Sequence, residues 1–130
     1  MSAFIDKVTE IYGAIAGLPA DNSCFHDPAL DLTWVEMSGG PYGGVYAGFG
    51  EVLENVFSRI GADWDDFKFT PSAFHTLDSV VTVEGDYTGV NRNTGKAVSA
   101  RVIHLWKQAG GKILFEQFTD TALFWESMKV

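Results

Sequence analysis

With 130 residues, 46% of them hydrophobic and 14% aromatic, the chain can fill one core and is read as a single domain, 1–130. A net charge of -8 leaves no basic stripe for a phosphate backbone, so no nucleic-acid partner is expected. Apolar runs too short to span a bilayer, no leader-like pattern from Met1 to Asp6, and a lone Cys24 that cannot close an internal disulfide predict a cytoplasmic protein with no membrane partner.

The first predicted element is an amphipathic helix over residues 3–17, where Phe4, Val8, Ile11, Ile15 and Leu18 follow helical spacing and Ile5 and Tyr12 flank the stripe. Ser2 is its expected N-cap, and Gly17 followed by Pro19 ends it. A short second helix is expected from Asp21 to His26. Leu30 to Met37 reads as a strand, with Leu32, Trp34 and Glu36 on one face. Residues 38–44 are too rich in glycine for regular structure and read as a loop without the lysine of a phosphate-binding motif. Phe49 to Ile60 is the clearest helix, its apolar face made of Val52, Leu53, Val56, Phe57 and Ile60, with Gly61 as expected C-cap. Four strands should follow: Trp64 to Phe69, bent by Pro71; Val80 to Tyr87; and a hairpin between Thr94 and Asp120. Asp120 should cap a short terminal helix through Met128. The order predicts an α+β fold with helices packed on one face of a curved antiparallel sheet.

The hairpin carries most of the functional information. A four-residue turn from Gln108 to Gly111 would set Lys107 opposite Lys112, His104 opposite Phe115 and Val102 opposite Gln117. One face then collects Ala100, Val102, His104, Trp106, Ile113, Phe115 and Gln117, and should meet the helices. The other carries Ile103, Leu105, Leu114 and Phe118 among charged residues. So much apolar surface on an outer face predicts a sheet-to-sheet homodimer. A slip of one residue would exchange faces on one strand.

Taken together, the first helix, Asp31 to Trp34 before a Gly-Pro loop, Tyr46-Ala47-Gly48, Gly85 with Tyr87, and Thr94-Gly95-Lys96 form an ordered set. His104-Leu105-Trp106, Gly111-Lys112-Ile113 and Phe115 through Ala122 complete it. The set resembles the SnoaL-like, polyketide cyclase-like branch of the nuclear transport factor 2-like superfamily over nearly the whole chain. The resemblance implies a cone-shaped α+β barrel of cystatin-like type, a pocket between concave sheet and helices, and usually a dimer. It does not imply one activity, because the superfamily spans cyclases, steroid isomerases, epoxide hydrolases, dehydratases and non-enzymes. Where the cyclases and epoxide hydrolases keep a catalytic aspartate, this chain has Gln117, an amide that cannot remove a proton. The arginine and aspartate of the epoxide hydrolases fall at Gly85 and Tyr87. Against the steroid isomerases, Tyr12 and Glu36 fall near the helix tyrosine and the carboxylate base, while the second acid falls at Ala100 or Val102.

The expected catalytic set is therefore Glu36 as base, with Tyr12 or His104 as hydrogen-bond donor. Trp34, Tyr42, Tyr46, Tyr87, Val102, Phe115 and Gln117 are expected to line the pocket. Each has a plainer alternative: His104 as a core histidine bonded to a neighbour rather than a group titrating near neutrality, Glu36 at a solvated barrel mouth, and the aromatics as core. Glu84 and Asp86 share a strand face expected to be solvated, and Asp120 is a cap first. Three scattered histidines and no CxxC, HExxH or EF-hand pattern give no metal site and no cofactor. The first expectation is a small-molecule-binding domain for an apolar, cyclic ligand, with isomerase- or cyclase-type proton transfer. The second is a non-catalytic dimeric binding module with a degenerate pocket.

Overall fold

The computed structural model describes residues 4–16 and 30–130. The expected helix at Asp21 to His26, the Ser2 cap, and the Gly17 and Pro19 terminators lie outside the described residues. Helix α1 (Phe4–Ala16) buries Phe4, Val8, Ile11 and Ala14, so the seam follows the spacing read from the sequence with Ala14 in it and Ile15 at its margin.

Strand β1 (Asp31–Glu36) alternates strictly, burying Leu32, Trp34 and Glu36. The glycine-rich stretch is not all loop. Its last residue opens strand β2 (Gly44–Ala47), which pairs antiparallel with β1, Trp34 opposite Tyr46 and Glu36 opposite Gly44. Four residues without a buried alternating face give too little pattern to be read as a strand. The next helix is continuous and longer than expected: α2 (Gly48–Val52), a π-helical turn (Leu53–Phe57) and α3 (Ser58–Asp63) run on without a break. Gly61 does not cap it. The helix passes through Gly61 and ends at Trp64, whose extended backbone (φ -131°) starts the next strand.

Strand β3 (Trp64–Leu77) passes through Pro71 because it is an edge strand, where a missing N–H goes unused. Its ladder is interrupted between Asp65 and Lys68 and between Pro71 and Ala73. Asp66 takes a left-handed conformation (φ 53°) in the first interruption. Strands β4 (Val80–Asn91), β5 (Ala97–Ala109) and β6 (Lys112–Thr119) complete a six-stranded sheet in the order β2-β1-β6-β5-β4-β3. All neighbours are antiparallel except β1 and β6, which run parallel.

The central hairpin is tighter than the sequence reading placed it. Ala109 faces Lys112 across Gly110-Gly111, whose φ angles of 58° and 79° make the two-residue turn that matches strand twist. Lys107 therefore lies opposite Leu114, His104 opposite Gln117, and Val102 opposite Thr119. The register differs from expectation by two positions, an even number, so both faces keep their membership. Ala100, Val102, His104, Trp106, Ile113 and Phe115 are buried on the inner face, and Ile103 and Phe118 stand 44% and 43% exposed on the outer one.

Two apolar clusters fill the concave side. The larger joins α1 and the α2 helix to Trp34, Val81, Val83, Trp106 and Phe115, with the Trp34 and Phe115 rings stacked at 3.7 Å. The smaller gathers Tyr42, Trp64, Tyr87, Val102 and Phe124. Phe124 comes from helix α4 (Thr121–Met128), capped by Asp120, whose Oδ1 accepts from Ala122 N at 3.1 Å. The fold is α+β, a curved, unclosed sheet with helices on it, and no helix among the described residues is long and apolar enough to cross a membrane.

Candidate functional site

A cavity of about 360 Å³ opens between the concave sheet, α1, the α2–α3 helix and the loop after β1. Its wall is largely aromatic, with Trp34, Phe57, Trp64, Phe67, Phe69 and Phe124. The helix contribution depends on the π turn, which interrupts α-helical phase just where Phe57 meets Trp34 edge-on at 5.6 Å. The bulge after Asp65 lets both Trp64 and Phe67 face inward, three positions apart, where strict alternation would turn one of them out.

The polar groups form a connected patch on this wall. His104 sits at the middle of β5, 4% exposed, between two tyrosines. Its Nδ1 is 2.6 Å from the Tyr12 hydroxyl and its Nε2 is 2.6 Å from the Tyr87 hydroxyl. The Trp106 indole N–H donates to Tyr12 Oη at 2.9 Å. Gln117, brought opposite His104 by the hairpin register, donates Nε2–H to Tyr87 Oη at 2.8 Å and accepts the Met37 backbone N–H at 3.1 Å through Oε1. Phe69 packs on the imidazole with ring centroids 4.3 Å apart.

Glu36, the last residue of β1, is 5% exposed and lines the same cavity. Burial pushes its carboxyl up to about 8. The Trp34 indole lies near enough to offset part of that rise, yet the approach falls short of a hydrogen bond, and neither Trp34 Nε1 nor Glu36 Oε2 has a full partner among the described residues. Burial acts on the other groups in the same sense, against charge. It drives His104 down to about 3 and raises the Tyr12 and Tyr87 hydroxyls above the usual phenol range. The expectation of a histidine titrating near neutrality is therefore not met. Burial favours its neutral form, and among the described residues both ring nitrogens meet phenol hydroxyls and no carboxylate.

At the other end of the cavity, Tyr42 donates to Asp63 Oδ2 at 2.7 Å and accepts from Trp64 Nε1 at 2.9 Å, with the Arg59 guanidinium 5.0 Å from its ring centre. Burial, then the Asp63 bond, raises its hydroxyl's pKa. This cluster ties the loop after β1 to the end of the helix.

Of the residues expected at the site, Tyr12, Trp34, Glu36, Tyr42, Tyr87, His104 and Gln117 border the one cavity. Tyr46, Val102 and Phe115, expected to line it, do not. Phe115 lies beneath Trp34 and edge-on to Trp106, a layer behind the wall. Val102 packs into the Trp64–Phe124 cluster, and Thr119, its cross-strand neighbour, lines the cavity instead. Tyr46 sits on the outermost strand and donates its hydroxyl to Tyr42 O at 2.7 Å. The sequence reading missed Phe57, Phe67 and Phe69; the alternation of the last two was the signal available. Glu84 and Asp86 lie away from the cavity, on the outer face, where both approach Arg101 and Glu84 also meets His75. Among the described residues, no three His, Cys, Asp or Glu side chains cluster as metal ligands would.

No protein-family model and no curated protein matches the chain. Solved structures do. An NTF2-like protein from Burkholderia thailandensis E264 is 37% identical, with all of both chains covered and a TM-score of 0.87. An NTF2-like protein of unknown function from Burkholderia pseudomallei K96243 is 23% identical, again with both chains fully covered, at a TM-score of 0.80. A protein from Jannaschia sp. CCS1 described as SnoaL-like and polyketide cyclase-like is 12% identical over 95% of this chain and 90% of its own, at a TM-score of 0.74, and shares the fold. Identity of 37% across the full length of both chains places this one: it belongs to the NTF2-like family.

Proposed function

We propose that the cavity binds an apolar, cyclic small molecule and that Glu36 moves a proton on it, in cofactor-independent chemistry of the isomerase or cyclase type. The observation that carries this reading is a carboxyl group held in a desolvated aromatic wall with Oε2 unpartnered among the described residues. With its pKa raised to about 8, Glu36 is mostly protonated at pH 7 and becomes a base as pH rises. Tyr12 would donate to the oxygen that gains charge, and His104 would hold both tyrosines in place. The aromatic wall suits a flat ring system.

The reading is tested by incubating the protein with a β,γ-unsaturated cyclic ketone in deuterated buffer and following conversion and exchange by proton NMR. The expected rate rises with pH towards a plateau above about 8, in line with the Glu36 carboxyl. Glu36→Gln should lower the rate about a hundredfold or more while ligand binding persists. Binding without any acceleration across a panel of such ketones would remove the catalytic part.

A second reading has its own support. Gln117 occupies the place where the sequence comparison puts a catalytic aspartate, and both ends of its amide are committed to Met37 and Tyr87. That favours a non-catalytic binding module. In either case we place a homodimer contact on the outer sheet face, where Ile103 and Phe118 are cross-strand neighbours flanked by Leu105 and Leu114. The acidic charge and single cysteine fit a cytoplasmic setting.

A further inference from the structure

The patch around His104 obeys a proton count. Tyr12 Oη already accepts the Trp106 N–H, and Tyr87 Oη already accepts a Gln117 N–H. The Gln117 amide cannot be turned around without loss, because its oxygen receives Met37 N. Between the two phenols stands one imidazole, with each nitrogen 2.6 Å from a hydroxyl. A neutral imidazole has one N–H and one lone pair, so it donates to one tyrosine and accepts from the other. The tyrosine that donates has committed its proton. The other accepts from both sides and keeps its own O–H, facing a cavity that both residues line.

We propose that His104 is a positioning residue whose tautomer decides which of Tyr12 and Tyr87 presents a free hydroxyl proton, so that the cavity selects ligands carrying a carbonyl-type acceptor oxygen at either of two places beside the imidazole. With Nδ1–H, Tyr87 donates to the ring and Tyr12 is the donor to the ligand. With Nε2–H, the roles exchange. An imidazolium would donate to both phenols and free both hydroxyls, but burial opposes it. A ligand without an acceptor would leave the surplus O–H unpaired in an apolar wall, and is disfavoured for that reason. The inference rests on the cavity being a ligand site and is independent of proton transfer by Glu36.

The test uses the full chain labelled with 15N-histidine. The His104 ring nitrogens should read as one protonated and one bare from pH 5 to pH 9. Tyr12→Phe should shift the ring to the Nε2–H tautomer, since the alternative buries an N–H with no acceptor, and Tyr87→Phe should shift it to Nδ1–H. The same tautomer in both variants, or an imidazolium at neutral pH, would overturn the proposal. In the binding arm, 1-tetralone should bind about tenfold more tightly than tetralin, which lacks the carbonyl. That preference should survive either single substitution, because the remaining tyrosine then keeps its free hydroxyl; equal binding of the two ligands to the wild type overturns the proposal. If ligand selection holds but cyclic ketones are not turned over, the catalytic role of Glu36 fails and this inference stands.

Discussion

Replacing Glu36 by glutamine separates the effect of a buried ionisable group from that of its shape. In the unfolded chain the carboxyl titrates at its ordinary 4.5; in the fold it titrates at about 8. The folded pKa is the higher one, so the native state holds a proton that the unfolded state has released. Stability due to this group is complete below pH 4.5 and is lost as pH rises towards 8. The slope in that window is about 1.4 kcal/mol per pH unit. Glutamine keeps the volume and does not titrate. Any fixed benefit or penalty of its amide is the same at every pH, so it drops out of a comparison between pH values. Titrations common to both proteins cancel as well, including His104, whose lowered pKa makes stability rise between about 3 and 6.5. Between pH 5 and pH 8, the stability of Glu36→Gln relative to wild type should grow by about 3.5 kcal/mol. Urea unfolding of both proteins at the two pH values measures it. A change below about 1 kcal/mol would mean a carboxyl titrating near its ordinary value, and the description of the wall as charge-excluding would fail.

Three other perturbations probe parts that do not share this cause. A Cβ on Gly85 would stand 2.4 Å from a Phe69 ring carbon and 2.7 Å from Thr70 O, so Gly85→Ala must displace the ring that packs on His104. It should cost about 1–3 kcal/mol and move the His104 ring resonances, and an unchanged melting temperature would refute the close packing. Gln117→Leu removes the partner of Met37 N and of Tyr87 Oη together; a loss of about 1–3 kcal/mol is expected in chemical denaturation, and a neutral result would show that water replaces the amide. Phe118→Lys should convert a dimer to monomer in sedimentation velocity with the fold intact by circular dichroism; an unaltered mass would eliminate the outer-face contact.

The fold was legible because period and punctuation agreed along most of the chain. Alternation marked β1, and the Gly110-Gly111 pair marked the hairpin. An error of two in its register left every side chain on its expected face. What escaped was set by contacts distant in sequence. Pro71 reads as a bend after Phe69 until β3 is known to be the edge strand and to run on to Leu77, and Gly61 looks like a cap until the helix is seen to continue to Asp63. The site was legible as a set of residue types on inward positions, which brought Glu36, His104 and Tyr12 to one cavity wall. Its depth was not. Phe115 shares a face with His104 but is covered by Trp34, which comes from a strand 81 positions earlier and lies parallel to β6. The electrostatic state of His104 was hidden for the same reason, since its neutrality follows from which groups enclose it and not from its neighbours in sequence.

The wall also reverses an order of basicity that holds in water. There an imidazole at 6.5 takes a proton from a carboxyl group at 4.5; here the carboxyl of Glu36 holds its proton to about 8 while His104 resists protonation to about 3. Burial is the leading cause in both cases, and each His104 nitrogen faces a tyrosine hydroxyl and not the Glu36 carboxyl. A charge-separated pair would need two desolvated charges in contact, and the imidazole nitrogens are instead turned to two phenols. The low-energy state of the Glu36–His104 part of the wall is therefore uncharged, with the carboxyl protonated and the imidazole neutral. A ligand reaching this part of the wall at neutral pH meets O–H donors and a protonated acid, while the Arg92 guanidinium borders the cavity elsewhere. If Glu36, once ionised, takes up the role of base, the negative charge passes from its oxygen to the ligand, and hydroxyls already oriented by His104 can donate to it. The hydrogen-bond network and the displaced carboxyl pKa are thus two consequences of one feature, a buried aromatic wall that holds its polar groups in their neutral forms.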